Sequence, residues 1–418
     1  MKRKRILFVE QNRDGTIGGS HTALLLLVRH LDPREFEVVV AFYESHALVN
    51  EFRKIARVVI LPWAAPIRIA LADASRHDPM TLAALVVRKT TNLALAFVAA
   101  AARLVRVTLL RPDVIHMNNT VMTGAEWPIA ARLSRARLVV HQRGNVMSPW
   151  YASYFDRVVC ISRAIHAQFL AGAKPSLQDR AVQIYDAVDV DAIRGRSSPV
   201  IAQRVREEFG VAHDEMLLGI VGNIKGWKGQ DVLIRALPLL AKSIRWKCLV
   251  VGSVSNHPTS VDYGRRLQRL ACELGVSDRV IFTGYRDDVP ALVEAMDLLV
   301  HTSLMPEPLG LVILEGMALA KPVVCSAHGG PVEIVEDGHS GSLVPPGDSR
   351  ALAACLEALM AAPEVRKRMG EAALARARSF PVAEHVNQMR RVYRSFWPEW
   401  VSVASLLTSL LETATASL

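Results

Sequence analysis

Short apolar runs, each closed by a glycine or polar cluster and followed by a stretch of helical spacing, recur along this chain. ILFV at Ile6 to Val9, EFEVVVAFY, ARVVILP, RPDVIHMNN, RLVVHQRGN and RVVCIS mark strands in the first half. Runs without polar alternation are those of strands buried on both faces, and strands separated by helices predict parallel sheets. The basic start MKRKR before ILFV imitates a targeting signal, but the run is too short for a signal core and stops at Glu10. A first β-strand is the better reading.

The alternation resumes after RGRSSP, Arg194 to Pro199, a polar segment ending in proline and the best linker candidate. MLLGIV, KCLVV, RVIFTG, LLVHTS and PVVCS are the strands of a second α/β half, so the expected division is 1–195, 200–378 and 379–418. SFPVAEHVNQMRRVYRSFW is expected to be a closing helix. The apolar tail Val401 to Leu418 packs on the first domain, touches a membrane or frays. One segment breaks the rhythm: Thr81 to Leu110 is dense in Ala, Leu and Val, with Arg88, Lys89, Arg103 and Arg106 flanking the uncharged piece Thr90 to Ala102. That piece falls short of the ~20 residues of a bilayer span, and core packing with some peripheral membrane contact is expected.

Composition narrows the class. At 418 residues the chain exceeds one hydrophobic core, and 51% hydrophobic with 22% charged residues excludes disorder. The formal charge of +10 suits phosphorylated ligands, nucleic acid or an anionic membrane face. Nucleic acid is disfavoured because the basic residues are dispersed and no stacking aromatic motif accompanies them. Cys160, Cys248, Cys272, Cys325 and Cys355 form no CxxC pair or His-Cys cluster and read as reduced core residues of a cytosolic protein, without zinc.

Candidate chemistry concentrates at EPLGLVILE, Glu307 to Glu315. A helix starting near Gly310 turns its free N–H groups and positive dipole end toward Glu307, and Glu315 falls about one and a half turns later. A capped helix with one solvated acid at each end has the same spacing. GNIKGWKGQ places Lys225 and Lys228 on a loop before a helix, where an ammonium and a helix end act together on a diphosphate; a solvated surface lysine is the plain alternative. GTIGGS, with Gly18 and Gly19, is a βα turn able to bring backbone donors to oxygens, though it is neither a dinucleotide fingerprint nor a P-loop. His116, Asn118 and Asn119 end one strand, and His141, Arg143 and Asn145 another, at the edge where α/β sheets gather ligands. Asp189 and Asp191 read as a turn and helix cap, not a metal site.

Taken together, EPLGLVILE, GNIKGWKGQ and GGPVEIVEDGHSGSLVPPGD resemble the donor domain of retaining glycosyltransferases of family 4, and GTIGGS, DVIHMNN, VVHQRGN and VCIS fall in matching order in the first half. The resemblance covers nearly the whole chain except Thr81 to Leu110 and the last twenty or so residues. It implies the GT-B fold of two facing Rossmann-like domains with a cleft between them. It also implies that the closing helix crosses back to brace the first domain, that the donor is a nucleotide-diphosphate sugar of UDP or GDP type, and that transfer goes to a hydroxyl acceptor without metal or other cofactor; the basic charge and the Thr81 to Leu110 stretch point to a glycan or lipid-linked acceptor. The location it suggests is the cytosol or the inner membrane face. On that resemblance Glu307 accepts hydrogen bonds from donor-sugar hydroxyls and Glu315 from the ribose. Lys228 neutralises the diphosphate, helped by Gly18, Gly19 and the N–H groups around Gly310. His141 stands near the transferred sugar. Asn223, Lys225, Leu309 and Leu311 belong to the donor side, and His116, Asn118 and Arg143 to the acceptor side. Three positions depart from the family pattern: Asn223 where Arg is common, with Lys225 or Arg143 to compensate; Leu309 for phenylalanine; and Asp186-Ala187 for Asn-Gly. A non-catalytic nucleotide-sugar-binding subunit of a polysaccharide assembly complex is the alternative.

Overall fold

The computed structural model describes residues 2–12, 17–63, 79–119, 126–144, 153–255 and 257–397. Gly15, Thr16, Asn145 and the tail beyond 397 lie outside them.

The apolar runs form two sheets. The first holds β1 (Lys4–Val9), β2 (Phe36–Phe42), β3 (Arg57–Ile60), β4 (Val114–Met117), β5 (Arg137–Gln142), β6 (Arg157–Cys160) and β7 (Ala181–Gln183), in the order β3-β2-β1-β4-β5-β6-β7. The second holds β8 (Met216–Val221), β9 (Trp246–Val251), β10 (Val280–Gly284), β11 (Leu298–His301), β12 (Val323–Ser326) and β13 (Ser342–Val344), in the order β10-β9-β8-β11-β12-β13. Neighbours such as β1 with β2 and β4, and β8 with β9 and β11, pair parallel. These are two doubly wound sheets of the GT-B fold, each reversing strand order beside its first strand. Such reversals open a crevice beyond the carboxyl ends of the strands. In the second sheet it lies between β8 and β11, which determines which two loops meet.

Leu218, Ile220, Cys248, Val250, Leu298 and Val300 pack into one buried core with the helices that flank this sheet. β13 was not expected from sequence: its three residues sit in a glycine- and proline-rich stretch too short to show a period.

Two compact units make up the chain, and they do not separate at a single cut near 195: segments 17–31 and 159–195 group with the C-terminal unit. The contacts explain it. Helix Gly19–His30 packs on the closing helix Val382–Arg394, where His385 Nδ1 lies 2.7 Å from the Tyr185 carbonyl oxygen. Glu333, nearly buried, accepts the N–H groups of Arg163 at 2.9 Å and Ala164 at 2.7 Å, the first turn of helix Arg163–Gly172, and the Tyr185 hydroxyl at 2.7 Å. Burial, with this carboxylate beside it, pushes the Tyr185 phenol up to about 12, so it serves as a donor. The expected linker is a tight turn between helices Val190–Arg194 and Pro199–Glu208, with Ser198 accepting the Ile201 N–H at 3.2 Å. Asp189 caps the first of these helices, as expected.

Two other expectations are corrected. Cys272 is exposed, because it lies on the outer face of helix Pro258–Glu273, whereas Cys160, Cys248 and Cys325 are buried. The 81–110 segment is one long helix, Pro79–Leu110, but it is not a core helix: only Ala99, Arg103, Val107 and Leu110 are buried along its described side chains. Arg103 is no solvated flank either, since it pairs with Glu126 at 3.0 Å and donates to the Pro62 carbonyl at 2.9 Å.

Replacing Glu333 by Ala should lower the unfolding free energy by about 3 kcal/mol, since several donors lose one buried charged acceptor. A urea midpoint equal to wild type would show that this carboxylate does not hold the 163–185 segment.

Candidate active site

Beyond the carboxyl end of β8 the chain enters the loop that carries Lys228, and beyond β11 the loop that carries Glu307. The reversal of strand order therefore brings together residues 79 positions apart, and Lys228 Nζ lies 2.7 Å from Glu307 Oε2. The loops are strapped to each other by backbone. Leu304 N–H donates to the Trp227 carbonyl at 2.7 Å, and the Thr302 hydroxyl donates to the Gly229 carbonyl at 2.8 Å. Gly229 is in the left-handed region, φ +66°, and a Cβ there would stand 2.2 Å from the Thr302 carbonyl oxygen, so only glycine closes this strap.

Two further residues converge on the same oxygen. His301 Nε2, at the last position of β11, is 3.1 Å from Glu307 Oε2, and the Ser303 hydroxyl donates to it at 2.8 Å. Oε2 takes all three hydrogen bonds found among the described residues, which leaves Oε1 for a ligand hydroxyl. Burial alone would push the Glu307 carboxyl up, but the Lys228 charge and the His301 hydrogen bond override it and hold the group well below the usual carboxylate range. Glu307 is thus an ionised acceptor of low basicity. Lys228 is partly exposed, stands 4.3 Å over the Trp227 ring, and among the described residues uses one of its three donors, leaving two for another anion.

The turn Gly329-Gly330 supports the site from β12. The Gly330 N–H donates to the Glu307 carbonyl at 2.7 Å, and a Cβ on Gly330 would stand 2.3 Å from the Leu309 Cα. His328 Nε2, 3.0 Å from the Ser303 carbonyl, ties the same turn to the β11 loop. The helix begins where expected, Leu311–Ala318 with Gly310 as its N-cap, and Leu309 is buried beneath that turn. Its first N–H groups and positive end thus lie three residues from Glu307. Glu315 is half-buried in its second turn. Burial pushes this carboxyl up to about 7, against the lowering pull of Arg196.

The glycine-turn segment also joins this assembly. Asn223 Nδ2 donates to the Ile17 carbonyl at 3.3 Å, Asn223 Oδ1 accepts the Ser253 hydroxyl at 3.3 Å, and a Cβ on Gly19 would stand 3.2 Å from the Leu311 side chain. The glycine turn therefore meets the loop of Lys228 at Asn223 and the helix after Glu307 at Leu311, and Lys225 lies half-buried on the former loop. Where an arginine is common, the Asn223 amide serves as a structural tie between loops.

Arg143 is placed otherwise than expected. Assigned to the acceptor side and as spare charge for the phosphate, it is buried and ion-paired with buried Asp186. The departure of Asp186 from asparagine supplies the charge that this guanidinium requires. His116 and His141 are fully buried at the carboxyl ends of β4 and β5, with ring centroids 5.4 Å apart, and Asn118 donates to Glu10 at 2.6 Å beyond β4. Sequence reasoning passed over His301, Ser303 and His328. The first two had a readable signal, because polar residues ending an apolar run, as in LLVHTS, are the same cue that marked His116 and His141.

The pattern "Glycosyl transferases group 1" matches residues 202–376, which contain Lys228, His301 and Glu307. The D-inositol 3-phosphate glycosyltransferase of Xylanimonas cellulosilytica is 34% identical over 303 residues, 67% of this chain and 71% of that protein. The chain belongs to the group 1 glycosyltransferases. Another relative, the GDP-mannose-dependent alpha-(1-6)-phosphatidylinositol monomannoside mannosyltransferase of Mycolicibacterium smegmatis, is 31% identical over 62% of this chain and 71% of its own length. The chain spans less than two thirds of the length of several curated relatives, 53% for the D-inositol 3-phosphate glycosyltransferase of Thermomonospora curvata. Among solved structures of this fold, Anabaena Alr3699/HepE in complex with UDP and glucose superposes with a TM-score of 0.75, covering 94% of this chain and 100% of that one at 25% identity.

Because the folded Glu315 binds its proton more tightly than the unfolded chain does, its stabilising contribution is complete below the ordinary value of 4.5 and is lost as pH rises through about 7. Between pH 5 and 8 the wild type should therefore lose on the order of 1–3 kcal/mol more stability than Glu315→Gln. Parallel pH profiles of urea unfolding for the two proteins would refute a half-buried, proton-holding Glu315.

Proposed function

We propose that the chain is a retaining transferase of the family 4 type that moves a sugar from a UDP- or GDP-sugar to a hydroxyl on a glycan or lipid-linked acceptor. Transfer takes place without a metal, at the cytoplasmic face of a membrane. The observation that carries the reading is the Lys228–Glu307 pair at the strand-order reversal, beside the start of the Leu311–Ala318 helix.

The two loops divide the work. Lys228 and the first N–H groups of the helix meet the diphosphate, whose negative charge grows as it leaves. Glu307 Oε1 accepts sugar hydroxyls and fixes the ring, while His301 and Ser303 fix Glu307. Glu315 takes the ribose hydroxyls. In the transfer the acceptor oxygen bonds to the anomeric carbon on the face from which the diphosphate departs, and the bond from that carbon to the phosphate oxygen breaks. The acceptor proton passes to the departing phosphate, and the nucleoside diphosphate leaves. His141 near the transferred sugar, and His116 and Asn118 on the acceptor side, complete the proposal as the resemblance assigns them.

Glu307 as a covalent nucleophile fits less well. An oxygen that holds an ammonium, an imidazole and a hydroxyl, in a carboxyl kept well below its ordinary range, is a poor nucleophile and a good hydroxyl acceptor. The relatives point the same way on the donor, one being named for GDP-mannose and one solved with UDP and glucose.

Glu307→Ala should abolish transfer, by more than about a thousandfold, while thermal unfolding stays cooperative; normal turnover would remove Glu307 from the site. Lys228→Ala should weaken binding of the nucleoside diphosphate at least tenfold more than that of the monophosphate by calorimetry, or about 1.4 kcal/mol. Equal losses on both ligands would mean that the lysine does not meet the distal phosphate. Activity should persist in chelator, and a strict divalent-ion requirement would contradict the metal-free route.

A further inference from the structure

The long helix Pro79–Leu110 presents to solvent side chains that water does not favour. Phe97 is 75% exposed, Leu93 72% and Leu109 76%, and Val86, Val98 and Val105 are exposed as well. Among the described residues it is the one helix long and apolar enough to cross a membrane. A solvent-facing stripe of this size on a folded protein marks a surface that another phase or molecule covers.

The helix separates its residues by angle. At about 100° per residue, the buried Ala99, Arg103, Val107 and Leu110 form one narrow stripe. The exposed large apolar side chains fill an arc of roughly 200° on the other side. The cations stand at the borders, Arg88 and Arg106 at one edge of the arc and Lys89 beyond the other. Of the three threonines within the arc, two have their hydroxyls turned onto the helix's own backbone, and Thr91 is exposed. The Thr90 hydroxyl donates to the carbonyls of Val86 and Val87, and that of Thr108 to the carbonyl of Leu104, one turn back. The face thus hides these hydroxyls against its own backbone.

Charge selects the occupant. From Pro79 to Leu110 there is no Asp or Glu, and all four ionised side chains are Lys or Arg. A second copy of this helix would bring cation against cation, whereas an anionic lipid surface meets apolar arc and basic rim together. Spanning is opposed by two observations. The uncharged run Thr90 to Ala102 is about 20 Å long, against a hydrocarbon core of about 30 Å. The Arg103 guanidinium is held by Glu126 and the Pro62 carbonyl on the protein side. We infer that this helix is an interfacial anchor that lies flat on an anionic bilayer, apolar arc in the acyl boundary and Arg88, Lys89 and Arg106 at the phosphates. The inference gives the membrane face proposed above its contact surface, and it stands independently of the sugar chemistry.

Flotation with vesicles of phosphatidylglycerol and phosphatidylcholine, against phosphatidylcholine alone, tests it without any donor or acceptor. The full chain should float with the anionic vesicles and be released by salt. Leu93→Glu with Phe97→Glu, both on the exposed arc and so harmless to the packed stripe, should reduce flotation more than about tenfold. Arg88→Gln with Lys89→Gln should reduce it on anionic vesicles only. Absence of flotation, or equal binding to both vesicle types, would overturn the inference. A dimer that fails to float and becomes monomeric in the Leu93→Glu, Phe97→Glu variant would assign the face to a second copy instead.

Discussion

Everything at the candidate site depends on one ion pair at the edge of the second sheet, between Lys228 and Glu307. The pair exists because the strand order reverses between β8 and β11, so that loops 79 residues apart leave the sheet side by side. Glu307 would not tolerate that position alone. A nearly buried carboxylate needs a charge and hydrogen bonds, and Lys228, His301 and Ser303 supply both on one oxygen. The result is a carboxylate with one oxygen committed and one left for a ligand, beside an ammonium with donors to spare. That polarity, acceptor next to cation, suits a sugar joined to a diphosphate.

The supporting shell shows how the chain holds the two loops in register. Backbone does most of it: the Leu304 to Trp227 hydrogen bond, the Gly330 to Glu307 hydrogen bond, and glycines at places where a Cβ would enter a neighbouring main chain. Side-chain ties are added where backbone cannot reach, as with Asn223 on Ile17 and Glu333 on the first turn of the 163–172 helix. This division explains why a common arginine is absent at position 223 without loss of order in the loop.

Much of this was legible in the sequence, for a physical reason. Strands buried on both faces are continuous apolar runs, and loops at the ligand-binding edge of such sheets begin with glycine or polar residues, so the two sheets, the Gly310 helix start and the Glu307–Lys228 candidates could all be located. What failed depended on partners distant in sequence. Arg143 resembled a ligand-facing cation because nothing local announces Asp186, and the 81–110 helix was expected in the core because composition does not say which side of a helix meets the protein. His301 and Ser303 were missed although their cue was present at the end of β11, overshadowed by the acidic pair a few residues on.

The measurement that bears most directly on the central claim is saturation-transfer NMR of the purified chain with a panel of UDP-, GDP-, ADP- and TDP-sugars, run beside Glu307→Ala. The Lys228–Glu307 site predicts transfer to the base and sugar protons of one donor, with the sugar signals lost and the base signals kept in the variant. Sugar signals that survive unchanged in Glu307→Ala, or no signal from any donor with the folded wild type, would contradict it.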